Sequence, residues 1–239
     1  MAFRLHWDVA RACAYVMSGA CRTARFATGW QAGKAGVEPK CPGCSPCDRF
    51  MRKGNGMNLT GKTAVPAMTY ANEFFGVELT LPVGFSFYDA GQMAELNKSI
   101  GDLQTDEDII KALDSGKAFF DMAAATAGGA TINVVIVHAG TPDVQALDAA
   151  AYLGCAKEGL ESQLSAAGAE LKVAQVGTRK IDKTGDELAS MEVRFEMQGI
   201  PTYEELVCLK TDDYFMTITA TAQDKAELDG ILASLVRAK

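Results

Sequence analysis
The sequence predicts an α+β fold, a mostly antiparallel β-sheet covered by helices. Three observations carry this reading. Short runs of alternating apolar and polar residues recur between residues 69 and 222. Most of these runs are separated by brief turn signals, the spacing of hairpins, which join antiparallel strands. The few helical stretches carry a single apolar stripe, so each has one face to lay against a sheet.

Residues 70–81 alternate as one strand, with Phe75, Val77, Leu79 and Leu81 on one side. Pro82-Val83-Gly84 turns into a short strand over 85–88. Asp89 caps a helix running to about Asn97, and Thr105-Asp106-Glu107-Asp108 forms a capping-box variant before a helix over 109–113. Residues 117–127 and 130–138 read as strands around Gly128-Gly129, a pair that supplies the positive φ angles of a two-residue hairpin turn. The second strand is apolar on both faces apart from Asn133, as suits a central position. Residues 148–167 form the main helix. Its stripe is Leu153, Ala156, Leu160, Leu164 and Ala167, and Gly168 is its C-cap. Three strands follow over 170–181, 187–198 and 202–210, the last two linked by the tight turn Gly199-Ile200-Pro201. Asp212-Asp213 turns into a strand over 214–222. A final helix spans about 225–236 with Leu228, Ile231, Leu232 and Leu235 inward.

Charge divides the chain. Residues 1–56 carry nine Lys/Arg against three Asp/Glu, although the whole chain of 239 residues has a net charge of −7. Such a split points to two physically different pieces. Residues 1–66 show no sustained period and are expected to be an irregular extension, disordered or non-native, with Met51 and Met57 as alternative starts. Residues 67–239 are expected to be a single domain. The acidic domain argues against nucleic-acid binding, because phosphate contacts need clustered Lys/Arg. No apolar stretch is long enough for a membrane span. As written the chain reads as cytoplasmic. Ser18-Gly19-Ala20-Cys21 loosely follows a lipoprotein cleavage box, which leaves a cell-surface lipoprotein as the alternative.

A family pattern appears across the domain. It is carried by Tyr70-Ala71-Asn72-Glu73-Phe74-Phe75-Gly76-Val77-Glu78-Leu79-Thr80-Leu81-Pro82, by Gly84-Phe85, by Asn133-Val134-Val135-Ile136 and by the helix over 152–168. Gln198-Gly199-Ile200-Pro201-Thr202-Tyr203 and Asp213-Tyr214-Phe215-Met216-Thr217-Ile218-Thr219 complete it. From about Met68 to Lys239 the chain resembles the PsbP-like and DcrB-like domains, whose small bacterial members are often lipoproteins. The resemblance implies an antiparallel sheet sandwiched by helices. It implies binding or assembly as the role, with no chemistry and no cofactor.

Several motifs invite chemical readings. Gly56-Met57-Asn58-Leu59-Thr60-Gly61-Lys62-Thr63 matches the phosphate-loop pattern, but no buried strand precedes it, and Pro66 disfavours the helix that must follow. Cys41, Cys44 and Cys47 stand at C-x-x-C-x-x-C spacing. They are weak metal candidates, since a closed zinc site needs a fourth ligand and Cys13, Cys21 and His6 are not at a recognised spacing. A redox dithiol lacks its βαβ context. Cys155 and Cys208 read as small buried hydrophobes. His138 reads as a hydrogen-bonded structural histidine, without a nucleophile motif beside it.

Glu192, Arg194 and Glu196 share one face of a strand. Glu192 and Glu196 lie four residues apart, roughly 13 Å, too far for a glycosidase pair. These three residues are the candidate protein-binding face, with a simple solubilising face as the alternative. Glu204 or Glu205 joins it, depending on register, and Thr217, Thr219 and Thr221 continue it. The expectation is therefore a non-enzymatic binding or assembly domain for an unknown protein partner. Its alternatives are a metal-binding or redox protein using the Cys-rich N-terminus, and a bacterial surface lipoprotein.

Overall fold
The structure, a computed structural model, describes residues 59–65, 67–101, 118–181 and 184–237. The fold class is α+β, and every strand pairing among the described residues is antiparallel. The chain builds two sheets where the sequence suggested one. The smaller joins β1 (Lys62–Ala64), β2 (Thr69–Asn72), β3 (Val77–Thr80) and β11 (Val236–Arg237) in the order β1-β2-β3-β11. The larger contains β4 (Phe85–Phe87), β5 (Ala118–Thr126), β6 (Thr131–His138), β7 (Glu170–Lys180), β8 (Glu187–Met197), β9 (Ile200–Thr211) and β10 (Tyr214–Ala222). Their order is β4-β5-β6-β10-β9-β8-β7. Helices α1 (Ala90–Gly101), α2 (Pro142–Gln145), α3 (Ala149–Ala166) and α4 (Lys225–Leu232) complete the described elements.

Alternation along the strands sends side chains to two cores. On one face of the large sheet, Tyr152, Leu153, Ala156, Leu160 and Leu164 of α3 pack on Met191, Val193, Phe195, Leu206, Cys208 and Phe215. Leu96 of α1 sits with Phe120, Val135 and Val137. On the other face the small sheet supplies Tyr70, Val77 and Leu79. These pack with Ile132, Val134, Ile136, Val207, Met216 and Ile218, and with Leu228, Ile231 and Leu232 of α4. Part of that face is therefore roofed by strands rather than by helices.

Local chemistry explains where the elements begin and end. Asp89 and Gln92 form a reciprocal capping box: Gln92 N donates to Asp89 Oδ1 at 2.8 Å, and Asp89 N donates to Gln92 Oε1 at 2.9 Å. Asn97 of α1 serves the sheet edge beyond β4, accepting from Phe120 N and donating to Phe120 O where β5 bulges. Asp148 Oδ1 accepts from Ala151 N at the start of α3, and Gly168 at φ +74 closes its far end. The stripe of α3 is buried except for Ala167, which lies past the helix and is exposed.

Several expected boundaries move. The single strand over 70–81 is a hairpin: Asn72 Oδ1 accepts from Phe75 N at 3.1 Å and Gly76 takes φ +61, which turns the chain between β2 and β3. Gly128-Gly129 does not make a two-residue turn. The loop is Ala127–Gly129, and of the two glycines only Gly129 has positive φ. The turn after β8 is Gln198-Gly199, both at positive φ, and Ile200 and Pro201 already belong to β9. Pro201 fits there because β9 pairs with β10 only from Tyr203 onward, leaving that side of Pro201 free of a ladder. The last helix stops at Leu232, where Ala233 is the C-cap, and Val236–Arg237 pairs with β3 instead. The helix expected over 109–113 lies outside the described residues.

The domain boundary also shifts. Residues 62–64 are strand β1, paired with β2 at Lys62–Ala71, Thr63–Tyr70 and Ala64–Thr69, so residues ahead of 67 belong to the fold. Lys62-Thr63 therefore lies in an exposed strand, not at the helix start that a phosphate loop requires.

Candidate functional site
The geometry of β8 sets the one predicted surface that the structure describes. Met191, Val193 and Phe195 are buried under α3, while Glu192 and Arg194 are exposed and Glu196 is partly buried. The three polar residues do share a face. Each has a neighbour on it: Lys225 Nζ lies 3.5 Å from Glu192, the Arg194 guanidinium lies 5.5 Å from the centre of the Tyr203 ring, and Lys172 Nζ lies 3.8 Å from Glu196.

Register settles which residues continue this face. Glu192 pairs with Glu205, and Glu205 with Ala220. Glu204 pairs with Val193 and Thr221, so it belongs to the opposite face with Thr217, Thr219 and Thr221. Those three threonines are buried, as is Glu204 at 1 % exposure, where it accepts from Thr221 Oγ1 at 3.1 Å. The broad polar surface expected from the sequence is thus narrower. It keeps β8 and Glu205 and loses the threonines of β10.

Glu205 is not a free surface charge either. It is 2 % exposed, and Arg179 Nη1 donates to its Oε2 at 2.6 Å. Lys225 Nζ stands 4.0 Å away, and Asp229 reaches both cations, at 3.7 Å from Arg179 and 2.8 Å from Lys225. Burial pushes the Glu205 carboxyl upward, and the charges of Arg179 and Lys225 oppose that shift. The network ties α4 to β7, β8 and β9. It arises because Arg179, Glu192, Glu205 and α4 converge on one face, which no local sequence spacing displays.

A second buried cluster sits between the sheets. Asp121 occupies the bulge of β5, and its Oδ2 accepts from Tyr70 OH at 2.6 Å, Gly61 N at 2.8 Å and Asn72 Nδ2 at 3.3 Å. Burial raises the Asp121 carboxyl, against the three donors that favour its charged form. Burial and the adjacent carboxylate also push the Tyr70 phenol up. Asn72 Nδ2 further donates to Leu59 O at 2.8 Å. The bonds from Gly61 to Asp121 and from Asn72 to Leu59 fasten residues 59–61 to the large sheet and to β2. The sequence signal was a lone Asp inside an otherwise apolar strand, Phe120-Asp121-Met122.

His138 ends β6 as expected, with its ring 4.9 Å from that of Tyr214. Its Nδ1 is buried and has no hydrogen-bond partner among the described residues. Both described cysteines are free thiols. Cys208 is buried, which pushes its thiol up to about 12, whereas Cys155 is only half-buried. Cys41, Cys44 and Cys47, with Cys21 and the lipoprotein-like box, lie outside the described residues. Among the described residues no three His, Cys, Asp or Glu side chains are grouped to hold a metal ion, and no helix is long and apolar enough to cross a membrane. In comparisons with known proteins, no family model matches the chain and no curated protein matches it significantly.

Proposed function
We propose that the chain is a non-enzymatic binding or assembly domain of PsbP-like arrangement, and that the wet face of β8 is where a protein partner docks. The observation that supports this is the asymmetry of that strand: Met191, Val193 and Phe195 are sealed under α3, while Glu192 and Arg194 stay in solvent. The charges there are mixed in sign and held on a rigid ladder between β7 and β9, which gives a partner a fixed pattern to complement. Chemistry on a bound substrate is not part of this reading. The charged groups nearest that face pair with one another, and Oδ2 of Asp121 is taken up by Tyr70, Gly61 and Asn72.

The test reverses two charges together, Arg194→Glu and Glu196→Lys, and measures affinity for a partner first identified by pull-down with the unaltered chain. Stability should fall by no more than about 1 kcal/mol, the scale of one cation–π contact and one exposed ion pair. Affinity should fall at least tenfold. Unchanged affinity removes this face as the docking site, and a loss of several kcal/mol of stability shows that the face is buried.

A further inference from the structure
The two ends of the large sheet are unlike. At one end β4 contributes three residues, and at the other β7 contributes eleven. Among the described residues no strand pairs with the outer side of β7, which leaves an edge of roughly 36 Å of backbone donors and acceptors. Folded proteins blunt such edges with charges, prolines or bulges. Here the bulge between Leu171 and Val173, with Lys172 inside it, blunts the beginning, and Arg179-Lys180 close the end. Between them residues 173–178 contain neither a charge nor a proline. Val173 is 41 % exposed, Gln175, Gly177 and Thr178 are exposed, and Ala174 and Val176 are only half-buried, Val176 at the rim of the core under α3. This is a strand with good β-formers and unused pairing capacity.

We propose that β7 pairs antiparallel with β7 of a second copy of this chain, about a two-fold axis through Gln175, to join two large sheets into one. Self-complementarity argues for this occupant. In that register Gln175 faces Gln175, and Val173 of each copy lies beside Gly177 of the other. There the exposed isopropyl group meets a position with open space where a Cβ would be. Val173 and Gly177 pair with Arg194 and Ser190 of β8, so both belong to the same face of the sheet. Glu170 at the start of one strand comes opposite the basic Arg179-Lys180 end of the other. Parallel in-register pairing would instead set Lys172, Arg179 and Lys180 each against itself. The closed two-fold arrangement uses up both edges and stops at two copies. It leaves the β8 face free and does not depend on the function proposed for it.

The experiment is sedimentation of the full-length chain in reducing buffer, from about 1 to about 200 µM, a range that covers weak and moderate association. The chain should move from 25.4 kDa toward twice that mass. Gln175→Lys and Gln175→Glu each place like charges opposite themselves on the axis, and each alone should weaken association by up to about fivefold. An equimolar mixture of the two variants should restore the dimer, because Lys then faces Glu. Gln175 is exposed and lies opposite Glu192 of β8, so circular dichroism of both variants should match the parent, while Gln175→Lys should melt with the parent and Gln175→Glu slightly below it. A parent that stays monomeric throughout overturns the proposal. Variants that dimerise as the parent does place any dimer on another surface and overturn it equally, as does a mixture that fails to recover.

Discussion

Replacing Gly61 with alanine in the full-length chain should be costly, although Gly61 precedes the exposed strand β1. A Cβ built there would lie 2.3 Å from Tyr70 Cε2 and 2.6 Å from Cζ, distances that require something to move. Tyr70 is fully buried and its hydroxyl is held by Asp121 at 2.6 Å, so the ring has nowhere to go. The backbone at Gly61 must retreat instead, which stretches its 2.8 Å bond to Asp121. Overpacking of this kind costs about 1–3 kcal/mol. Complete release of residues 59–61 sets the ceiling. It loses one hydrogen bond to a carboxylate, about 1.5–3 kcal/mol, and the neutral Asn72–Leu59 bond, about 1 kcal/mol. A destabilisation of about 2 kcal/mol is therefore expected, which lowers the urea midpoint by about 1 M for an m-value near 2 kcal/mol/M. Hydrogen exchange of the β1–β2 ladder should quicken in parallel. The same chemical change at Gly154, in the exposed face of α3 with nothing within 4 Å, should stabilise by about 0.5–1 kcal/mol. A Gly61→Ala chain within about 0.5 kcal/mol of the parent, with an unchanged m-value, would refute the idea that the fold begins ahead of residue 67.

Two further perturbations address the buried charges. Asp121 has a folded pKa raised above its ordinary value of 3.8, so the folded carboxyl takes up its proton before the unfolded one does as pH falls. The parent should accordingly gain stability relative to Asp121→Asn on going from pH 7 toward pH 4, with no further relative gain below 3.8. Denaturant titrations at several pH values showing the parent losing ground to the variant on acidification would contradict the assigned burial. Arg179→Met strips the nearest cation from Glu205, at 2 % exposure, and leaves Lys225 4.0 Å away. About 2 kcal/mol should be lost, less than for a fully isolated buried charge, and Glu205→Leu on top of it should recover much of the loss. Melting of the single and double variants reads both outcomes.

The large sheet was legible because its strands alternate or run apolar over nine residues or more in β5, β7, β8, β9 and β10, and a period of two needs that length to stand out. The small sheet was not. Its members have two to four residues, and β11 in particular is a pair, Val236–Arg237, with no period at all. The β2–β3 hairpin hid for another reason. Turns are sought among polar residues, whereas this one places Phe74 and Phe75 between Asn72 and Gly76, and Phe75 is buried in the core. The turn at Gln198-Gly199 was displaced by the weight given to Pro201, which a strand tolerates where its other side carries no ladder. Of the candidate face, the β8 half was visible in the alternation of that strand alone. The fate of Glu205 was not, because it depends on Arg179 and Lys225 arriving from β7 and α4.

The threonines of β10 show why alternation identifies two faces but cannot say which of them is wet. Thr217, Thr219 and Thr221 alternate with Met216, Ile218 and Ala220 as cleanly as Glu192 and Arg194 alternate with Met191 and Val193. Yet β8 lies next to the edge strand and β10 lies in the middle of the sheet, between β6 and β9. A central strand must surrender both faces to the interior, so its polar face has to consist of side chains that survive burial. Threonine does so because its methyl group packs while its hydroxyl finds a neighbour, as Thr221 finds Glu204. Glutamate and arginine keep water unless they are paired, as Glu205 is with Arg179. The kind of polar residue therefore carries part of the information that the period lacks: the threonines of β10 tolerate burial, whereas Glu192 and Arg194 of β8 stay exposed. By that contrast the solvated surface of the large sheet narrows to its β7–β8 end, where Glu192 and Arg194 stand beside β7, whose outer side pairs with no strand among the described residues. The proposed docking face and the proposed pairing edge thus adjoin without sharing a residue, and a dimer joined through β7 would set two copies of that face on one continuous sheet.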